Sequence, residues 1–160
     1  MEKCENLEKK LTEWFEWFHR HPELSYEEYG TTDKIREILT KEGVEILPCA
    51  LETGLVAVVR GAEEGPVSAL RCDIDALPIH EETNLPYASE YDGKMHACGH
   101  DFHITAGIGC ALLLNEKKDR LTGTVKIIFQ PGEESSLGAL KVLETDVMDD
   151  VERIWGFHAD

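Results

Sequence analysis

Apolar residues recur every three or four places at Leu7, Leu11, Trp14, Phe15 and Phe18. That spacing puts them on one side of a helix and predicts an amphipathic helix over residues 5–19. Pro22 closes it. Ser25-x-x-Glu28 has the form of a capping box and predicts a second helix, with Tyr29, Ile35, Ile38 and Leu39 turned inward and an end at Gly43. Three short apolar runs with β-branched residues follow at 44–47, 55–60 and 67–72, separated by Thr53-Gly54 and by the turn-rich stretch from Gly61 to Pro66. Residues 79–95 carry Asn84, Pro86 and Asp92-Gly93 and predict a long loop. A helix from Phe102 to Lys118, a strand over 124–129, a helix over 137–144 and a strand over 153–157 complete the series.

Strand and helix alternate in the second half, which predicts an α/β fold with a mainly parallel sheet flanked by helices. The closely spaced strands 44–47 and 55–60 are expected to pair as an antiparallel hairpin at one edge. The 160 residues show no repeat and no low-complexity tract, and they suffice for one domain with a core.

Thirty-two acidic against sixteen basic side chains give a formal charge of −16. Phosphate backbones and anionic membranes would repel such a chain, so neither nucleic acid nor membrane is expected as a partner. No apolar run approaches the ~20 residues that span a bilayer. The start, Met1-Glu2-Lys3-Cys4, lacks the form of an export leader. Five cysteines, odd in number and widely spaced, form no disulfide framework, so reduced thiols and a cytoplasmic location are expected. Cys72 and Cys110 sit among apolar neighbours and read as small core residues.

Cys98 is different. It lies in Met95-His96-Ala97-Cys98-Gly99-His100-Asp101, and some thirty residues later comes Phe129-Gln130-Pro131-Gly132-Glu133-Glu134. A soft thiolate, an imidazole and a carboxylate beside a second carboxylate suit a divalent metal and proton transfer on water. In extended backbone Cys98 and His100 would leave the same face and reach one centre. Asp73 and Asp75 follow one predicted strand, Glu133 and Glu134 a second, and His158 a third. Ligands in open α/β sheets collect beyond the carboxyl ends of the strands. Asp75 or Asp101 is expected to accept from the second ring nitrogen of His100. His19, His21, His96 and His103 read as structural. A nucleophilic Cys98 would need a His base and would leave Glu133 and Glu134 without a task. A closed structural zinc site is the other reading of the same residues.

Five ordered blocks resemble the M20-type metallopeptidases, in the amidohydrolase branch of hippurate hydrolases, N-acyl amino acid deacylases and auxin-conjugate hydrolases. They are His19 to Ser25 with Glu27-Glu28, Ala69 to Ile79, Met95 to His103, Gly123 to Glu134, and Gly156-Phe157-His158. Gly132 stands where that family usually has Ala, and Cys72 where Ala is common. The resemblance implies a zinc-exopeptidase-like catalytic domain that is truncated. Residues 1–160 would be its N-terminal part, with a lid domain, the remaining strands and a last His ligand beyond Asp160. It implies Cys98, His100, Glu134 and His158 as metal ligands, Glu133 as general base and Asp75 as the orienting carboxylate of the catalytic pair. Asp73 holds a position that is a ligand in related peptidases but not in this branch. Two divalent ions per complete site are implied, zinc, manganese or cobalt, with an N-acyl amino acid or short peptide as substrate. Full-length members are expected to be homo-oligomers whose dimer contacts lie outside this chain. The competing expectation is a catalytically incomplete fragment that binds metal weakly or not at all.

Overall fold

A computed structural model describes residues 2–159, with side chains from residue 6 onward. The side chain of Cys4 therefore lies outside the described residues. The elements run α1 (Glu2–Arg20), α2 (Tyr29–Lys41), β1 (Glu45–Leu47), β2 (Leu55–Arg60), β3 (Glu63–Asp73), α3 (His100–Glu116), β4 (Thr122–Gln130), α4 (Gly138–Leu143) and β5 (Arg153–Gly156). The strands form one sheet in the order β1-β2-β4-β3-β5. β1 and β2 are the expected antiparallel hairpin at one edge. β2 also meets β4 antiparallel, whereas β3 pairs parallel with both β4 and β5. The α/β fold is as expected, with a mixed sheet whose parallel half carries the chemistry-bearing strand ends.

Alternation along β4 divides the core into two layers. Ile127 and Phe129 face the helices α1, α2 and α3, among Phe18, Ile35, Leu39, Cys72, Ile104 and Ile108. Ile128 faces the other way, with Val56, Ala69, Val142 and Val147 beneath α4 and the turn after it. Helix α3 lies close because Gly107 has no side chain: a Cβ there would stand 2.6 Å from Cys72 Sγ and 3.1 Å from the Phe129 ring. Lys126, buried on the same strand, donates to the Val147 carbonyl at 2.6 Å and to Asp150. No helix of the described residues is long and apolar enough to cross a membrane.

Two expectations need correcting. Ser25 and Glu28 do not cap α2 with their side chains. Its first N–H groups, Gly30 and Thr31, are taken by the Glu23 carboxylate at 3.0 and 2.7 Å. That leaves the Ser25 hydroxyl free for Asp75 and the Glu28 carboxylate free for Thr53 and Gly132. A neighbouring acid has taken the helix start, and the expected cap residues bond far along the chain instead. Tyr29, expected inside, is half exposed and donates to Glu52 instead.

Phe129 is fully buried at the end of the central strand, where Gly107 and Cys72 close over it. Phe129→Ala is expected to cost about 3–5 kcal/mol, the range for emptying a packed aromatic site. Urea unfolding would read this as a lower midpoint at unchanged slope; a loss under about 1 kcal/mol would mean that the site collapses freely.

Candidate metal centre

The site starts from strand register. Cys72 and Asp73 of β3 lie directly across from Phe129 and Gln130 of β4, and the Ile74 N–H continues the ladder to the Gln130 carbonyl at 3.1 Å. Beyond that point the two chains part, one to Asp75 and the other through Pro131-Gly132 to Glu133-Glu134. A hydrogen bond rejoins them: the Glu134 N–H donates to Asp75 Oδ2 at 2.9 Å. The Ser25 hydroxyl donates to the same oxygen at 2.6 Å.

Cys98 and His100 arrive from another direction and not in extended backbone. Gly99 has φ +78, a left-handed turn that favours glycine. His100 is then the first residue of α3. The turn, and not alternation along a strand, brings both side chains to Glu134. The donor atoms of Cys98, His100 and Glu134 all lie within 4.8 Å of one another.

His100 is fully buried and donates from Nδ1 to the main-chain carbonyl of Asp75 at 2.8 Å. The expected acceptor was Asp75 or Asp101; Asp75 supplies it, by its backbone. This bond puts the ring proton on Nδ1 and leaves the Nε2 lone pair free. Nε2 is buried without a hydrogen-bond partner, 3.8 Å from Glu134 Oε1, 3.9 Å from Glu133 Oε2 and 3.6 Å from Asp73 Oδ2. Such an orphan among carboxylates is costly unless a cation or proton fills the gap. Burial alone would depress His100, but the Asp75 carboxylate 3.4 Å from Nδ1 and the charge of Asp73 carry it upward. The Cys98 thiol is pushed up to about 11, first by its hydrogen bond to Glu134, then by burial and the nearby carboxylates. Without a cation, both groups favour the proton.

Glu133 Oε1 stands 4.0 Å from Arg71 Nη2, and its side chain is about one-third exposed. His158 is exposed at the rim, its ring centre 5.9 Å from that of His100 and 5.1 Å from that of His103. It stands beside the tight three-residue group, not inside it. Asp73, His100 and His103 form a second group of similar compactness. There, however, Asp73 receives Arg71 and the His103 Nδ1–H, and His103 Nε2 accepts the Ala159 N–H at 2.9 Å. Those bonds occupy the donors that an ion would need.

His19, His21 and His96, read as structural from the sequence, lie outside the group of Cys98, His100 and Glu134. His19 donates from Nδ1 to Asp101 at 2.6 Å and from Nε2 to Glu81 at 3.2 Å, an arrangement that the imidazolium satisfies. His21 donates to the Trp17 carbonyl at 2.6 Å and stacks on that indole. His96 is buried with both ring nitrogens unpartnered, and burial pushes it down to about 4. Arg71 is a site residue that sequence reasoning passed over. Its place two residues before Asp73 in a strand, on the same face, was the available signal.

Residues 69–160 match the family model described as Peptidase family M20/M25/M40. The chain is 57% identical over 141 residues to an N-acetylcysteine deacetylase of Bacillus subtilis (strain 168), covering 88% of this chain and 37% of that protein. It is 41% identical over 165 residues to thermostable carboxypeptidase 1 of Saccharolobus solfataricus, covering 99% of this chain and 42% of that protein. Among solved structures, it is similar to the Bacillus subtilis YXEP protein, described as a dinuclear metal binding peptidase from the M20 family. That likeness has a TM-score of 0.96 at 52% identity, over 98% of this chain and 44% of that one. The chain thus spans about two fifths of the length of these relatives.

The His19 pair makes a pH prediction. The hydrogen bond to Asp101 comes first among the causes that lift His19, against burial and helped by Glu81. Its folded value therefore exceeds the unfolded one, about 6.5. Stabilisation by His19 is then fully present below the unfolded value and is lost as pH rises through the folded one. Chemical denaturation of wild type and His19→Gln should show the largest stability gap at pH 6 and a shrinking gap toward pH 9. A gap that stays constant or widens with pH would refute this account.

Proposed function

This chain belongs to peptidase family M20/M25/M40, and from that membership we propose that it is the N-terminal part of a metal-dependent catalytic domain hydrolysing the amide bond of N-acyl amino acids or short peptides. The observation that carries the reading is the buried, unpartnered Nε2 of His100, with Cys98 and Glu134 close enough to share one ion with it. His100 Nε2 lies 3.8 Å from Glu134 Oε1, a gap that no hydrogen bond closes. The donor set fits, and His158 at the rim is the proposed fourth ligand. Sulfur and imidazole favour zinc, while the carboxylates admit manganese or cobalt.

A divalent ion bound there would polarise the scissile carbonyl and acidify the attacking water. The chain's own residues account for the proton. Glu133 accepts it from the water as the oxygen bonds to the amide carbon. It then delivers that proton to the amide nitrogen as the carbon–nitrogen bond breaks, leaving a carboxylic acid and a free amino acid. Asp75 touches neither substrate nor water in this scheme. Its carbonyl fixes the His100 ring, and its side chain holds the Glu134 N–H, so it orients two proposed ligands at once. A reduced Cys98 in this role suits a cytoplasmic setting.

A second reading, that the chain by itself holds an ion weakly and turns over little, is favoured by the ligand count. Cys98, His100, Glu134 and His158 are too few for two ions.

Hydrolysis of N-acetylcysteine and hippurate by the purified chain with zinc, manganese or cobalt, abolished by a chelator, is the deciding assay. Glu133→Gln should lower kcat by about 10²–10⁴-fold while the bound-metal stoichiometry stays that of wild type. Hydrolysis that resists the chelator but is lost on alkylation would overturn the metal reading in favour of a cysteine nucleophile. Metal uptake without turnover would leave the second reading standing. Because the ion-free Cys98 thiol holds its proton up to about 11, metal uptake at pH 7 should release at least one proton. Calorimetry in buffers of different ionisation enthalpy measures this, and a heat independent of buffer would contradict thiolate ligation.

A further inference from the structure

The loop that carries Glu133 and Glu134 is held from behind by a residue 104 positions earlier in the chain. Glu28 is fully buried, and its Oε1 accepts the Gly132 N–H at 2.8 Å. Its Oε2 accepts the Thr53 hydroxyl, also at 2.8 Å. The Glu28 carbonyl takes the Thr32 N–H and the Thr32 hydroxyl, and Thr32 Oγ1 in turn accepts the Gly54 N–H at 2.7 Å. The Thr53-Gly54 turn is thereby pressed against β4: a Cβ on Gly54 would lie 2.5 Å from the Phe129 carbonyl oxygen and 2.7 Å from Pro131.

Tyr26 closes the loop from the same side. Its backbone is left-handed, with φ +67, and a Cβ on Gly132 would stand 2.5 Å from its ring. The Ser135 hydroxyl donates to the Gly132 carbonyl at 2.7 Å and lies 2.8 Å from the Tyr26 hydroxyl. The amide before Glu133 is therefore held by Glu28, and the amide after it by Asp75.

We propose that Glu28 is a positioning residue for the Glu133–Glu134 pair, acting through the Gly132 N–H. This inference rests on the proposed function for the roles of the pair, but not for the hold on the loop. A carboxylate inside the fold is costly, and burial pushes Glu28 upward against the pull of Thr53 and Gly132. A residue needed only to fill this space would not have to aim an oxygen at the Gly132 N–H. One needed to hold that N–H would, and its second polar atom would have to find Thr53.

Hydrogen exchange resolved by residue and cobalt titration followed by the thiolate absorption band test the proposal on the full chain. In Glu28→Ala, the amides of residues 132–136 should exchange at least about tenfold faster, and cobalt affinity should fall about 10–100-fold, the range for losing a residue that orients ligands. Amides of β2 and β4 should keep their wild-type rates. Glu28→Gln can turn its oxygen to Gly132 and its amide to Thr53, and should recover both readouts to within about threefold. Glu28→Asp withdraws the carboxylate by one methylene but keeps a polar group in place; it should show the same faster exchange and weaker cobalt binding, and it decides the matter where the alanine variant does not fold. Unchanged loop exchange in both Glu28→Ala and Glu28→Asp would overturn the proposal, as would faster exchange spread evenly over β4. If the wild-type chain takes up no cobalt, the metal reading of the site fails, and exchange alone decides the role of Glu28.

Discussion

The parallel pairing of β3 with β4, in the register that sets Asp73 across from Gln130, is the constraint on which the rest depends. Parallel strands end on the same side of a sheet, so their following residues must emerge together. Asp75 and the Glu133–Glu134 pair are neighbours for that reason, although some sixty residues separate them. The packing beneath enforces the register. A slip of one residue would turn Ile127 and Phe129 out of the helix-covered layer and Ile128 into it.

Several charged groups lie inside this arrangement, and each is answered by a partner from a different element. Asp73 faces Arg71 and His103, Asp101 faces His19, and Glu28 faces Thr53 and Gly132. Buried ions add little net stability, but removing one member of a pair is expensive. Such a network constrains geometry more than it stabilises. His100 Nε2 gives the site its character, a buried acceptor with nothing to accept that faces three carboxylates.

Much of the fold was legible because its elements are locally coded. The 3.6-residue spacing of Leu7 to Phe18 and the β-branched runs from 55 to 60 and 124 to 129 correspond to α1, β2 and β4. The edge hairpin followed from a short link. That Asp75 and the Glu133–Glu134 pair would emerge side by side was also readable, since strand-end logic needs only the order of elements; His158, expected with them, stands at the rim. What the sequence did not disclose are the long-range hydrogen bonds. Ser25 and Glu28 look like a cap in isolation and serve Asp75 and Gly132 instead, because Glu23 takes their place at the helix start. For Cys98 and His100 the reason is local: alternation predicted a shared face, but a left-handed Gly99 brought them together. A local pattern does not say which of several nearby acids takes a helix start, nor which partner far along the chain claims the side chain left over.

The two bonds flanking Glu133 have a dynamic consequence. With the amides on either side anchored to buried carboxylates, the main chain at this position is a fixed pivot. The partly exposed side chain can still turn about its own torsions. Rotamer changes of this kind take picoseconds to nanoseconds, whereas loop rearrangements are far slower. Glu133 is thus mounted like a short arm on a rigid post, able to turn without disturbing the frame that bears it.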